Sequence, residues 1–271
     1  MAKGLSIIPT ETIQEIYKDL AQPSVQIIGK TIGTAMELAG TVLQFPFRFS
    51  NQYLKHIFTK SLENLASRLE KVEESQLVEV RSELAIPILD KLSYINSEEL
   101  SNLFVNLLAS ASTLDTCGKA HPGFINIINN LSVDEARIIN HMSLNRLDTI
   151  PYINYRFSSK VDGGSYIELT SNLTGLEDEI DLIFPDNIPV YLNNLISLGV
   201  LIEDDTYYLI DQERLDYLDG KNRDSWDKSE LNGDKQEFNQ DPKLVKGTYE
   251  LTLYGKMFIE ACTGEQISNQ E

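Results

Sequence analysis

Three histidines, two cysteines and one glycine–lysine–threonine triplet are the residues of this 271-residue chain best suited to chemistry. Their spacing argues against it. His56 has no second ligand at i+4, and neither Cys117 nor Cys262 belongs to a C-x-x-C pair, so the short repeats of a zinc site are missing. His121 has no serine or cysteine nucleophile motif beside it, and its place just before a helix suits capping better than proton transfer. Asp216 to Asp227 is rich in carboxylates, but Leu218 stands where a calcium loop needs its second oxygen ligand. Gly29-Lys30-Thr31 matches the end of a phosphate loop whose first glycine would be position 24, which is Ser24. No G-x-S-x-G or H-E-x-x-H occurs. The expectation is a chain that is not an enzyme, with no catalytic residue, no cofactor and no metal.

The elements around these residues are mostly helical. Asn96 can cap a helix, with Glu99 three residues on, and Leu100, Leu103, Phe104, Leu107, Leu108 and Ala111 then share one face. Pro122 suits the first turn of a second helix carrying Phe124, Ile127, Ile128 and Leu131. Ser132-x-x-Glu135 is a capping box opening a third. Upstream, residues 10–22 read as a short helix, and Asn51 to Ser75 as a long one with Phe58, Leu62, Leu65, Leu69 and Val72 at spacings of three and four. Leu84 to Ile95 is a further helix, in which Pro87 is tolerable only near the start.

Val25 to Phe49 is apolar and rich in small residues. Gly29 and Gly33 form G-x-x-x-G, and Gly40 lies seven residues beyond Gly33, a face that allows close helix approach. Lys30 and Glu37 interrupt the run, so it falls short of a membrane span. A helix packed tightly in a bundle or dimer is the first reading. A membrane-interface segment is the second, with Phe45, Phe47 and Phe49 around Pro46 and Arg48 as its anchors. These six glycines and phenylalanines are the candidate interaction residues.

The net charge of −18 is uneven: residues 1–120 carry 11 basic against 14 acidic side chains, and residues 121–271 carry 12 against 27. So acidic a surface repels phosphate backbones and anionic headgroups, and nucleic acid is not an expected partner. Two distant cysteines suit a reducing compartment, and the first residues lack the apolar core of a secretory signal.

After Leu144 the periodicity changes. Tyr152 to Phe157 and Tyr166 to Leu169 read as strands around a Gly163-Gly164 turn. Glu177 to Asp181 reads as a solvated helix start or loop. Pro189 opens a helix that Gly199 ends in the left-handed conformation. Val200 to Ile202 and Thr206 to Ile210 are extended, Gly220 to Pro242 reads as a mobile polar insertion, and Tyr249, Leu251 and Leu253 alternate as a strand before a last helix stopped by Gly264. The order of helix, glycine, wing strands and L-T-x-x-G resembles a winged helix. The helix at Ile188–Leu198 offers Asn193 and Asn194 but no lysine or arginine, and the wing offers Glu203, Asp204 and Asp205, which favours a protein-binding over a DNA-reading module. The expected architecture is mainly α (α+β): a helical domain at 1–130 and an acidic winged-helix-like domain at 131–271, with the insertion at about 220–242.

SNLFVNLLASAS followed by HPGFINIINNLSVDEARII resembles the core of the abortive infection alpha family. LAQPSVQIIGKTIGTA, FPFRF, IPILDKLSYI and LTLYGKMFIEACTG extend the resemblance over nearly the whole chain. It implies a bacterial protein that limits phage propagation. The expectation is a non-enzymatic defence protein of the cytoplasm, acting through a protein partner or self-association. Residues 25–49 leave open a peripheral contact with the inner membrane. The alternative is a winged-helix nucleic-acid-binding regulator.

Overall fold

A computed structural model describes Thr31 and residues 52–158, 166–204, 212–222 and 243–264. Five helices come first: α1 Gln52–Leu69, α2 Ser82–Leu92, α3 Glu98–Ala111, α4 Gly123–Asn129 and α5 Val133–Leu144. A second set follows: β1 Thr149–Ser158, β2 Tyr166–Leu173, α6 Leu176–Glu179, α7 Ile188–Ser197, β3 Leu201–Asp204, α8 Gln212–Asn222, β4 Lys243–Leu251 and α9 Leu253–Cys262. The protein is mainly α with α+β character. It divides into two compact units, Met1–Ala136 with Met257–Glu271, and Arg137–Lys256. Chain order alone assigns the last helix to the second domain; packing groups its C-terminal half with the first.

In the first unit the three-and-four spacing becomes buried faces. α1 buries Ile57, Phe58, Leu62, Leu65, Ala66 and Leu69, and α3 buries Leu103, Phe104, Leu107, Leu108 and Ala111. The two helices approach closely where small residues meet, with Ser61 Oγ 2.5 Å from Ser101 Oγ. The seam ends at Leu69, and Val72 lies past the helix, half-buried.

Local signals hold with two corrections. Ser97, not Asn96, caps α3: its extended backbone lets Oγ accept the Leu100 N–H at 3.3 Å, and Glu99 bonds that hydroxyl. α2 begins at Ser82, which puts Pro87 in its interior. The lost N–H and ring clash cost about 3 kcal/mol, against roughly 1.5–3 kcal/mol for each of the buried Leu84, Ile88, Leu89 and Leu92, so the helix persists. The capping box of α5 is complete: Ser132 N–H donates to Glu135 Oε2 at 2.6 Å, and Glu135 N–H to Ser132 Oγ at 3.3 Å.

The second unit is built on an antiparallel sheet of order β2-β1-β4-β3. β1 is central and buries Ile150, Tyr152, Ile153, Asn154, Tyr155 and Phe157, with Ile153 and Tyr155 packed against Leu215 and Leu218 of α8. The β1–β2 register shifts between Ile153 and Tyr155, and there buried Asn154 Oδ1 accepts the Asn172 N–H at 2.6 Å, Asn172 taking φ +60°. Opposite Tyr152 stands Gly247, where any Cβ would collide with the tyrosine ring. Tyr152 stacks near Tyr249 at 4.9 Å and donates to Glu203 Oε1 at 2.6 Å. Burial raises the Tyr249 phenol well above its ordinary range, and the Glu203 and Glu168 carboxylates add to it.

The motif L-T-x-x-G has a steric reason. Thr252 Oγ1 donates to the Gly199 carbonyl at 2.6 Å and accepts the Gly255 N–H at 2.8 Å, while Thr252 N–H donates to Val200 O at 3.0 Å. Gly199 takes φ +73°, ending α7 as expected. Leu253 does not extend the strand: it is the first residue of α9 and 79% exposed. The helix α8 replaces the start of the expected polar insertion; residues 223–242 lie outside the described residues, as do Gly163, Gly164 and residues 205–211.

Candidate functional site

The first unit contains a cleft with a volume of about 710 Å³. Its walls come from the last turn of α1 and the residues after it, a short turn at Glu74–Gln76, α3, the loop Thr113–Lys119, and the end of α9. Backbone pairing sets two of these walls. Val78 N–H donates to Ser112 O and Leu114 N–H to Gln76 O, each at 2.9 Å, around a Leu77–Thr113 bridge.

α3 also terminates α9. Asn106 Nδ2 donates to the Cys262 carbonyl and Ser110 Oγ to the Ala261 carbonyl, both at 2.8 Å. These are helix-end acceptors without intrahelical partners, and two side chains 151 and 156 residues away satisfy them. Lys119 pairs with Glu260 on the same wall. Among the described residues, buried Asn106 Oδ1 and Gln76 Oε1 have no hydrogen-bond partner. Burial lowers the Arg68 guanidinium from its ordinary value, yet an arginine at neutral pH stays charged. Gly264, at φ +77°, closes the corner: a Cβ there would meet Arg68 Nη1 first and lie 3.0 Å from Asn106 Oδ1.

The histidines and cysteines are dispersed. His56 is exposed. His121 Nδ1 accepts the Gly123 N–H at 3.0 Å, the capping role its position suggests. His141 Nε2 lies 2.9 Å from Glu179 Oε2 in the second unit. Cys117 and Cys262 are free thiols, and burial pushes the Cys262 thiol well above its ordinary value. Among the described residues no group of three or more His, Cys, Asp or Glu side chains is placed to hold a metal ion.

The acidic turn at Glu177–Asp181 is more than a solvated surface. Lys221 pairs with Glu177 at 3.0 Å and with Asp178, Arg214 pairs with Glu179, and Tyr217 donates to Asp178 Oδ2 at 2.9 Å. Arg214 Nη2 also donates to the buried Thr174 carbonyl at 2.8 Å, and Arg137 to Asp181 O. Three side chains of α8 thus clasp α6. Hydrogen bonds from Lys221 and then Tyr217 hold the Asp178 carboxyl below the usual range.

The expected interaction residues Gly29, Gly33, Gly40, Phe45, Phe47 and Phe49 lie outside the described residues. Thr31 alone in that stretch is described: it is buried, and its carbonyl accepts the Val80 N–H at 2.8 Å. Among the described residues no helix is long and apolar enough to cross a membrane. On α7, Asn193 is exposed and Asn194 half-buried, with no cation on the helix.

Residues 53–262 match the family model described as abortive infection alpha. This chain belongs to the abortive infection alpha family. No curated protein and no solved structure matches it. The family match runs from α1 to the end of α9, so it takes in every wall of the cleft except Gly264. Within this family member, SNLFVNLLASAS supplies Asn106 and Ser110, and HPGFINIINNLSVDEARII supplies the His121 cap and the Ser132–Glu135 box. In the sequence these motifs read as packing and capping, and the cleft is not legible there because its lining residues share no spacing.

Proposed function

We propose that this abortive infection alpha chain is a non-enzymatic bacterial anti-phage defence protein that acts through protein–protein contact. Family membership over residues 53–262 supports the defence role. The net charge of −18 supports a protein partner, since phosphate backbones and anionic headgroups are repelled. Residues 25–49, with Gly29, Gly33, Gly40, Phe45, Phe47 and Phe49, are the segment proposed for self-association, with peripheral contact to the inner membrane as their second use. The nucleic-acid reading has less behind it: α7 carries no lysine or arginine, and β3 carries Glu203 and Asp204.

The test is phage challenge of a bacterial host expressing the chain. Reduced plaquing together with loss of infected cells is expected, and a Gly29→Leu/Gly33→Leu variant should lose protection while retaining its melting temperature. Unchanged plaquing across a phage panel would refute the defence role. Full protection by the double variant would refute the role of residues 25–49.

A further inference from the structure

We infer that residues 181–190 of the second unit are a docking surface for a basic amphipathic helix of a partner protein. Ile183, Phe184 and Val190 meet the apolar stripe of that helix, and Asp181 and Asp186 meet the lysines or arginines beside it. Docking of this kind rests on the protein-contact reading above and gives the partner a chemistry. Residues 161–213 hold twelve Asp and Glu and no Lys, Arg or His. Cations from elsewhere in the chain neutralise part of this run: Lys221 pairs with Glu177 and Asp178, and Arg214 with Glu179. Asp181 and Asp186 are exposed, and among the described residues neither carboxylate has a hydrogen bond or an ion pair.

Between and beside these two carboxylates stand Ile183, Phe184 and Val190, which are 52%, 61% and 64% exposed. Single exposed apolar side chains are ordinary, but three within eight residues mark a contact surface. The backbone presents them in a fixed shape. Asn187 N–H donates to Phe184 O at 3.1 Å and Ile188 N–H to Pro185 O, Pro185 and Pro189 have their φ angles fixed by their rings, and Ile188 is buried. A surface already ordered loses little entropy on binding. Asn193 and Ser197, three and seven residues beyond Val190, are also exposed, so an uncharged lane runs along α7. A helix laid there supplies apolar side chains at i, i+3, i+4 and i+7 with cations on either side, which matches apolar anchors flanked by carboxylates. A second copy of the chain brings the same two carboxylates, and an anionic membrane or a nucleic acid brings phosphates; each is repelled.

The test is fluorescence anisotropy of a fluorescein-labelled peptide of about 18 residues, leucine and lysine at helical spacing, titrated with the full chain. A peptide with glutamate in place of lysine is the control. Saturable binding of the lysine peptide and none of the glutamate peptide is expected. Phe184→Ser should weaken binding about tenfold to a hundredfold, as the loss of a central anchor does. Val190→Ser should weaken it by a smaller factor and replaces Phe184→Ser if that variant melts lower than the parent. Asp181→Asn with Asp186→Asn should weaken it about two- to fivefold and flatten its dependence on salt. Leu114→Ser removes an exposed leucine of the first unit at unchanged charge and should bind as the parent does. No saturation up to about 0.5 mM protein would overturn the proposal, since that excludes all but millimolar affinity. Binding that Phe184→Ser and Val190→Ser both leave unchanged is charge attraction alone and would overturn it too. So would Phe184-dependent self-association in sedimentation, or Phe184-dependent flotation with phosphatidylcholine vesicles, which assign the face to a second copy or to lipid. Peptide binding is read apart from plaquing, so its failure leaves the defence role standing.

Discussion

Replacing Gly255 by alanine tests the close contact at the start of α9. Gly255 is buried, and its added Cβ would overlap the Val200 carbonyl oxygen and stand 2.9 Å from the carbonyl carbon and 3.1 Å from Cα. These are backbone atoms, so no rotamer change relieves the overlap. The backbone at Val200, just before β3, must move, and it is tied there by Thr252 N–H at 3.0 Å. Overpacking of this kind costs about 3 kcal/mol at the upper end of its usual range, and alanine returns at most ~1 kcal/mol of helix propensity. The net loss of roughly 2 kcal/mol corresponds to a melting temperature lower by about 4–8 °C for a chain of this size. Gly220→Ala is the matched control. It lies on α8, is exposed, and its Cβ would meet nothing within 4 Å. It should be neutral or raise the melting point by up to ~4 °C. Both are read by circular dichroism melts. A Gly255→Ala protein melting within about 1 °C of the parent, or a Gly220→Ala protein that loses as much, would refute the steric reasoning.

The α8 clasp should be sensitive to mutation and to acid. Arg214→Ala leaves the buried Thr174 carbonyl without its donor, a loss of about 1–3 kcal/mol, and should speed hydrogen exchange across α8. Asp178 titrates lower when folded than when unfolded, so its contribution is present above the unfolded carboxyl range and disappears as pH falls through the folded value. Proteolysis at α8 by an acid-active protease should therefore rise below about pH 4, and no change down to pH ~2 would count against the clasp. Native thiol labelling should modify half-buried Cys117 and spare Cys262 until denaturant is added. A Cys117→Ser protein that still labels when native would contradict the burial of Cys262.

Signals that act within a few residues were legible in the chain. The Ser132–Glu135 box, the His121 cap and the left-handed Gly199 each depend on a contact within one turn, so spacing alone identifies them. The seam Phe58–Leu62–Leu65–Leu69 was legible for the same reason. Elements held by distant partners were not. α8 offers the core Leu215 and Leu218, and its other support is polar, from partners more than 30 residues earlier, so nothing in its own spacing marks it as a helix. Pro87 breaks a local rule that four buried neighbours outweigh. The cleft depends on Arg68, Asn106 and Gly264 meeting across nearly 200 residues, and no periodicity links them.

The bonds from Asn106 and Ser110 to the last carbonyls of α9 join the two sequence segments of the first unit. The second unit, Arg137–Lys256, is thus an insertion in the first. During synthesis at about 5–20 residues per second, roughly 6–24 s separate the emergence of Ala136 from that of Met257. The inserted unit has its whole sequence first. The first unit, and the cleft with it, cannot be completed until α9 leaves the ribosome, so a chain cut short in translation carries no finished cleft.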